Sequence, residues 1–124
     1  MSLPRVLVVD DDPDLVGIVA RALGGAFLVE TAPSAADAMA RLRAGERYDV
    51  VLTDLMMPVT SGAELYARVA AVDPAQAARF VFMSGAMTAR DGPLGENAQP
   101  VLEKPFAMRE LRELLQRLAT PPLS

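Results

Sequence analysis

Five short apolar runs recur along the chain, and the gaps between them carry helical spacing. RVLVV (5–9), AFLVET (26–31), YDVVLT (48–53), RFVFM (79–83) and PVLE (100–103) are bounded by proline, glycine or polar residues, so each predicts a strand. Between them, residues 13–23 place Leu15, Ile18, Val19 and Leu23 on one helical stripe, and Gly24-Gly25 end it. A second helix opens at Ser34, carries Ala35, Met39 and Leu42, and stops at Gly45. A third, 63–72, aligns Leu65, Val69 and Val72, and a last one, 107–119, aligns Leu111, Leu114, Leu115 and Leu118. Asp12 before Pro13 and Ser34 read as N-caps. This alternation predicts an α/β fold: a doubly wound, five-stranded parallel sheet with helices on both faces and right-handed crossovers.

One interval breaks the rhythm. Residues 86–99, AMTARDGPLGENAQ, hold two glycines and a proline where a fourth helix should lie, so that helix is expected to be shortened or disordered. With 124 residues there is room for one core. We expect one domain over 1–119, with 120–124 a tail or the start of a linker.

Composition narrows function by exclusion. The chain has no cysteine, which removes disulfides, thiolate metal sites and cysteine nucleophiles. It has no histidine, which removes imidazole ligands and the usual general base. A bound metal is therefore expected to be a hard, oxygen-liking cation. Net charge is −4 with no basic run, which argues against direct nucleic-acid binding. No apolar run is long enough to span a membrane and no signal peptide is visible, so the chain is expected to be cytoplasmic. The methionines, Met56 and Met57 included, read as core filler.

In a doubly wound sheet, ligands gather at the carboxyl ends of the strands. The residues there are Asp10 and Asp11 after the first strand, Asp54 after the third, Ser84 after the fourth and Lys104 after the fifth. Two carboxylates about 4 Å apart repel by about 4 kcal/mol at an effective dielectric near 20. A cation among them relieves this, and Mg²⁺ is the natural occupant where oxygen is the only donor. Mg²⁺, an ammonium and a hydroxyl together suit an anion with several oxygens, such as a phosphoryl group.

These residues also spell a known pattern. VLVVDDDP, DLMMPVTSG, VFMSGA and EKPF, in this order and spacing, resemble the receiver domain of two-component response regulators over essentially the whole chain. The resemblance implies a flavodoxin-like sheet of order 2-1-3-4-5. It implies that Asp54 is the phosphoacceptor, taking a phosphoryl group from a histidine kinase or histidine phosphotransfer protein. Asp10 and Asp11 would hold Mg²⁺ with Asp54 and the Met56 carbonyl. Ser84 and Lys104 would contact the phosphoryl oxygens, Gly85 would leave room for them, and the Lys104–Pro105 peptide would be cis. Such a chain modifies itself and is not expected to be an enzyme in the wider sense. It would switch an output domain on the same or another chain.

Two departures bear on the readout. Val101 stands where the family usually carries an aromatic residue that swings inward on activation, so that movement is not expected. The shortened 86–99 segment resembles those of receivers attached to hybrid histidine kinases, and phosphorylation is expected to order it. Two alternatives compete with the phosphoacceptor reading. One is a pseudo-receiver that only docks; the other, more distant, is a Mg²⁺-dependent phosphatase, whose second acid would fall where Met56 stands.

Overall fold

The computed structural model describes residues 3–57, 59–84, 99–104 and 106–119. The strands are β1 (Arg5–Val9), β2 (Leu28–Ala32), β3 (Val50–Asp54), β4 (Phe80–Ser84) and β5 (Val101–Glu103). The helices are α1 (Pro13–Leu23), α2 (Ala35–Arg43), α3 (Gly62–Val72), the one-turn α4 (Pro74–Ala77) and α5 (Met108–Ala119). All strand pairs are parallel, in the order β2-β1-β3-β4-β5.

Successive residues of a strand face opposite sides of a sheet, so a sheet covered on both faces needs apolar residues at every position. Val6 to Val9 and Val50 to Leu52 are all fully buried. Val6, Val8, Val50, Leu52, Val81 and Met83 pack under α1 and α5, against Val19, Leu23, Leu111 and Leu115. Leu7, Val9, Val51, Phe80 and Phe82 pack under α2 and α3, against Ala38, Leu65 and Val69. On that second face Tyr66 of α3 meets Phe80 and Phe82 edge-on, at centroid distances of 5.6 and 5.8 Å. Val101 is half-buried, registered beside Phe82 and packed on the same cluster.

The caps form as expected. Asp12 accepts hydrogen bonds from the Asp14 and Leu15 amides, with Pro13 in the first turn, and Ser34 accepts from the Asp37 amide. Several boundaries differ from expectation. β2 begins two residues late, because Gly25 turns the chain at φ 90° and the Ala26 and Phe27 amides fold back onto the Leu23 carbonyl. β3 and β4 run through Asp54 and Ser84 instead of stopping before them. Two stripe assignments and one core assignment also need correction. Ile18 is 49% exposed and Val72 77% exposed, because each sits on the solvent side of its helix, Val72 at its end. Met56 is 69% exposed and belongs to the loop after β3, so it is not core filler; Met57 is partly buried against the α2–α3 cluster.

α4 has no counterpart in the sequence reading. Asp73 caps it, Pro74 opens it, and it delivers Gln76 into the core at 4% exposure. There the Gln76 amide donates to the Tyr48 carbonyl and accepts from the Tyr48 amide, both at 2.9 Å. The side chain thus completes the backbone pairing just ahead of β3. Gln76→Leu is expected to lower unfolding free energy by about 3 kcal/mol, since two buried backbone groups lose their partner; urea melts measure it.

The end of the sheet opposite the strand carboxyl ends is held by charge. Arg5 donates to Glu30, Glu46 and the Arg47 carbonyl and lies 4.7 Å over the Tyr48 ring. Glu30 also accepts from Arg41 and from the Tyr48 hydroxyl. The Arg5 hydrogen bond holds the Glu30 carboxyl below its ordinary range despite partial burial. The segment between β4 and β5 expected to be shortened or disordered lies outside the described residues, apart from Gln99. That side chain donates to the Ala78 and Phe80 carbonyls.

Candidate phosphoacceptor site

Parallel strands bring their carboxyl ends to one edge, and four of the five end in, or run directly into, the polar residues singled out above. Asp10 follows β1 and is 2% exposed; Asp54 closes β3 at 8% and Ser84 closes β4 at 3%. Lys104 follows β5, its amide donating to the Ser84 carbonyl at 2.7 Å. One carboxylate oxygen from each of Asp10, Asp11 and Asp54 lies within 4.8 Å of the others. The Lys104 ammonium sits 3.0 Å from Asp54 Oδ2 and 3.7 Å from Asp10 Oδ2. Asp54 Oδ1 accepts from the Met56 amide at 3.1 Å, so both of its oxygens are engaged and the carboxylate is oriented.

Asp10 is the uncomfortable member. Its Oδ1 accepts from the Asp12 amide at 3.0 Å, while its buried Oδ2 has no hydrogen-bond partner among the described residues. Burial is the main cause that pushes its carboxyl up to about 6, and the Asp54 charge adds to it; the Asp12 amide and Lys104 act in the opposite direction. Three carboxylates against one ammonium leave a local excess of negative charge facing an orphaned oxygen. A hard cation ligated by oxygen fits that donor set.

The structure brings the side chains of Asp10, Asp11, Asp54 and Lys104 together at this edge. It also places Ser84 at the same edge. Gly85 and Pro105 lie outside the described residues, so the clearance expected at one and the cis bond expected at the other are not described. What sequence reasoning missed lies in the loop and helix after β3. Ser61 and Glu64 form a capping box at the start of α3, legible in SGAE as a hydroxyl followed three residues later by a carboxylate. Val59 is held at φ 70° and is fully exposed. A left-handed backbone costs an L residue about 1–2 kcal/mol. Val59→Gly is therefore expected to stabilise the fold by about 0.5–1 kcal/mol after glycine's own entropic cost, as measured by urea denaturation.

The family model of the response regulator receiver domain matches residues 6–116. This chain belongs to that family. The receiver is 34% identical over 117 residues to the sensor histidine kinase TmoS of Ectopseudomonas mendocina, covering 93% of this chain and 12% of that protein. It is 34% identical over 116 residues to the transcriptional regulatory protein TcrA of Mycobacterium tuberculosis, covering 93% and 46% respectively. The receiver thus spans less than half the length of either. Among solved structures, the chemotaxis response regulator CheY4 of Vibrio cholerae aligns with a TM-score of 0.81 at 27% identity, over 94% of this chain and 99% of that one. Among the described residues of this receiver no helix is long and apolar enough to cross a membrane.

Proposed function

We propose that this receiver is a working phosphoacceptor that takes a phosphoryl group onto Asp54 from a phosphohistidine of a histidine kinase or histidine phosphotransfer protein. The observation that carries the reading is the Lys104–Asp54 pair at 3.0 Å inside a cluster of three carboxylates. A surface that only docked a partner would have no use for an orphaned, buried Asp10 oxygen at the same edge. Asp10, Asp11 and Asp54, with the Met56 carbonyl, would hold Mg²⁺. When bound, Mg²⁺ offsets charge on the phosphoryl oxygens and on the carboxylates around them.

An Asp54 carboxylate oxygen attacks phosphorus, the bond from phosphorus to the donor's imidazole nitrogen breaks, and the imidazole leaves with its electron pair. Little covalent work is asked of the protein beyond placement and charge. The Met56 amide and Lys104 hold the Asp54 carboxylate aimed before transfer. Lys104 and Ser84 then bind the phosphoryl oxygens, and hydrolysis of the acyl phosphate resets the site.

An open hollow of about 540 Å³ between α1 and the β2–α2 loop reaches Asp10 and Asp11. It would admit a side chain of a docking protein more readily than enclose a substrate, in keeping with a signalling domain and not an enzyme. The phosphorylated receiver would switch an output domain on the same or another chain, in the cytoplasm, without contacting nucleic acid or membrane itself. The test is intact mass after incubation with acetyl phosphate. A Mg²⁺-dependent gain of one phosphoryl group is the expected result. No gain, together with no Mg²⁺ binding, would leave a docking module that keeps the residues without the chemistry.

A further inference from the structure

We infer that Gly62 is a positioning residue for Asp54, acting through the main chain: the lack of a side chain lets the first turn of α3 seat directly on the peptide that carries the phosphoacceptor. The inference rests on the phosphoacceptor reading. A Cβ built on Gly62 would stand 2.2 Å from the Asp54 carbonyl oxygen, 3.0 Å from its carbonyl carbon and 3.2 Å from the Leu55 Cα. All three are backbone atoms, so no side-chain rotation could relieve the clash. Gly62 does not occupy the left-handed region, so glycine is required here for space and not for its backbone freedom. Helix propensity alone would favour alanine at this position.

The neighbouring contacts leave the peptide little room to yield. The Gly62 amide donates to the Leu55 carbonyl at 3.0 Å, and the Leu55 amide donates to Met83 of β4 at 2.9 Å. Leu55 is therefore tied to α3 through its carbonyl, in the peptide it shares with Met56, and to β4 through its amide, in the peptide it shares with Asp54. α3 itself is fixed by the Ser61–Glu64 capping box and by buried Leu65 and Val69. Both anchors of the carboxylate, the Met56 amide on Oδ1 and Lys104 on Oδ2, presuppose that peptide's position. A displacement of about 1 Å at a reacting centre can cost about 100-fold in rate, and relieving a 2.2 Å contact demands a shift of that order.

The experiment compares the wild-type chain with three variants by Mg²⁺ titration calorimetry, acetyl phosphate labelling, amide exchange at Leu55 in metal-free buffer, and thermal melting. Gly62→Ala is expected to raise the Mg²⁺ Kd roughly tenfold, slow labelling about 100-fold and lower Leu55 protection. Ser61→Ala, which adds no atom near Asp54, loosens the start of α3 and should move the Kd a few-fold in the same direction. Ala67→Gly, at an exposed position mid-helix, weakens α3 and lowers Tm while leaving Kd and Leu55 exchange unchanged. Should Gly62→Ala fail to fold, the contrast between Ser61→Ala and Ala67→Gly decides. The inference is overturned if the wild type binds Mg²⁺ and takes the phosphoryl group while Gly62→Ala does so equally. It is also overturned if Ala67→Gly shifts the Kd as much as Ser61→Ala, since stability and not position would then govern the site. A wild type that neither binds nor labels removes the phosphoacceptor reading itself, an outcome visible before any variant is made.

Discussion

Asp54→Asn is expected to abolish the Mg²⁺-dependent gain of one phosphoryl group, with intact mass after acetyl phosphate treatment as the measurement. The amide is nearly the same shape, and its oxygen can still accept from the Met56 amide as Asp54 Oδ1 does. What it lacks is the anionic oxygen that attacks phosphorus and the charge that draws Lys104 to 3.0 Å. A neutral amide is a far poorer nucleophile than a carboxylate, and Mg²⁺ loses a charged ligand at the same time. Labelling should fall by at least about 1,000-fold, the scale on which removing an activated nucleophile is felt. Labelling that persists on another carboxylate, Asp10 or Asp11, would show that the cluster accepts phosphoryl groups without Asp54 being special.

The second large effect is on stability in metal-free buffer. Asp10 titrates in the folded protein at about 6, against 3.8 for an ordinary aspartate. Between those values the folded state holds a proton that the unfolded state has released, so stability falls as pH rises from about 4 to about 6. Above pH 7 the full penalty applies, on the order of 3 kcal/mol at 1.36 kcal/mol per pKa unit. Asp10→Asn cannot ionise and escapes it. The variant is expected to be the more stable protein at pH 7.5 in EDTA, and the two denaturation curves should converge near pH 4. Glu30, whose carboxyl is shifted the opposite way by Arg5, is present in both proteins and cancels in the difference. Added Mg²⁺ should stabilise the wild type by mass action and the variant less, which narrows or reverses the gap. Parallel pH profiles would show that Asp10 is not strained by its burial.

The sheet was legible because each strand is buried on both faces and so reads as an unbroken apolar run. The site was legible because its residues are fixed to strand ends, so one-dimensional spacing sets three-dimensional proximity. Strand ends were misjudged by a residue where a polar side chain still belongs to the ladder, as at Asp54 and Ser84. Apolar spacing also overstated burial at Ile18, Val72 and Met56, because periodicity gives a helix face but not how far the neighbouring sheet extends beneath it. The Arg5–Glu30–Glu46 cluster joins residues far apart in sequence, and nothing local announces it. Gln76 was hidden for the same reason, since its partner Tyr48 is 28 residues away. Gly62 was visible as the last residue of DLMMPVTSG, but its closeness to the Asp54 carbonyl was not, because spacing along the chain does not say which atoms touch.

The edge-on packing of Tyr66 against Phe80 and Phe82 has a practical side. The chain has no tryptophan and two tyrosines, and they sit in unlike surroundings. Tyr48 is buried at the far end with its hydroxyl on the Glu30 carboxylate, remote from the strand carboxyl ends. Tyr66 rides on the helix that starts against Asp54 and touches the strand that ends in Ser84. The protein thereby carries a built-in optical probe. A change in ultraviolet emission on adding Mg²⁺ or a phosphoryl donor would come from Tyr66, and stopped-flow mixing could time the response of α3 without any attached dye.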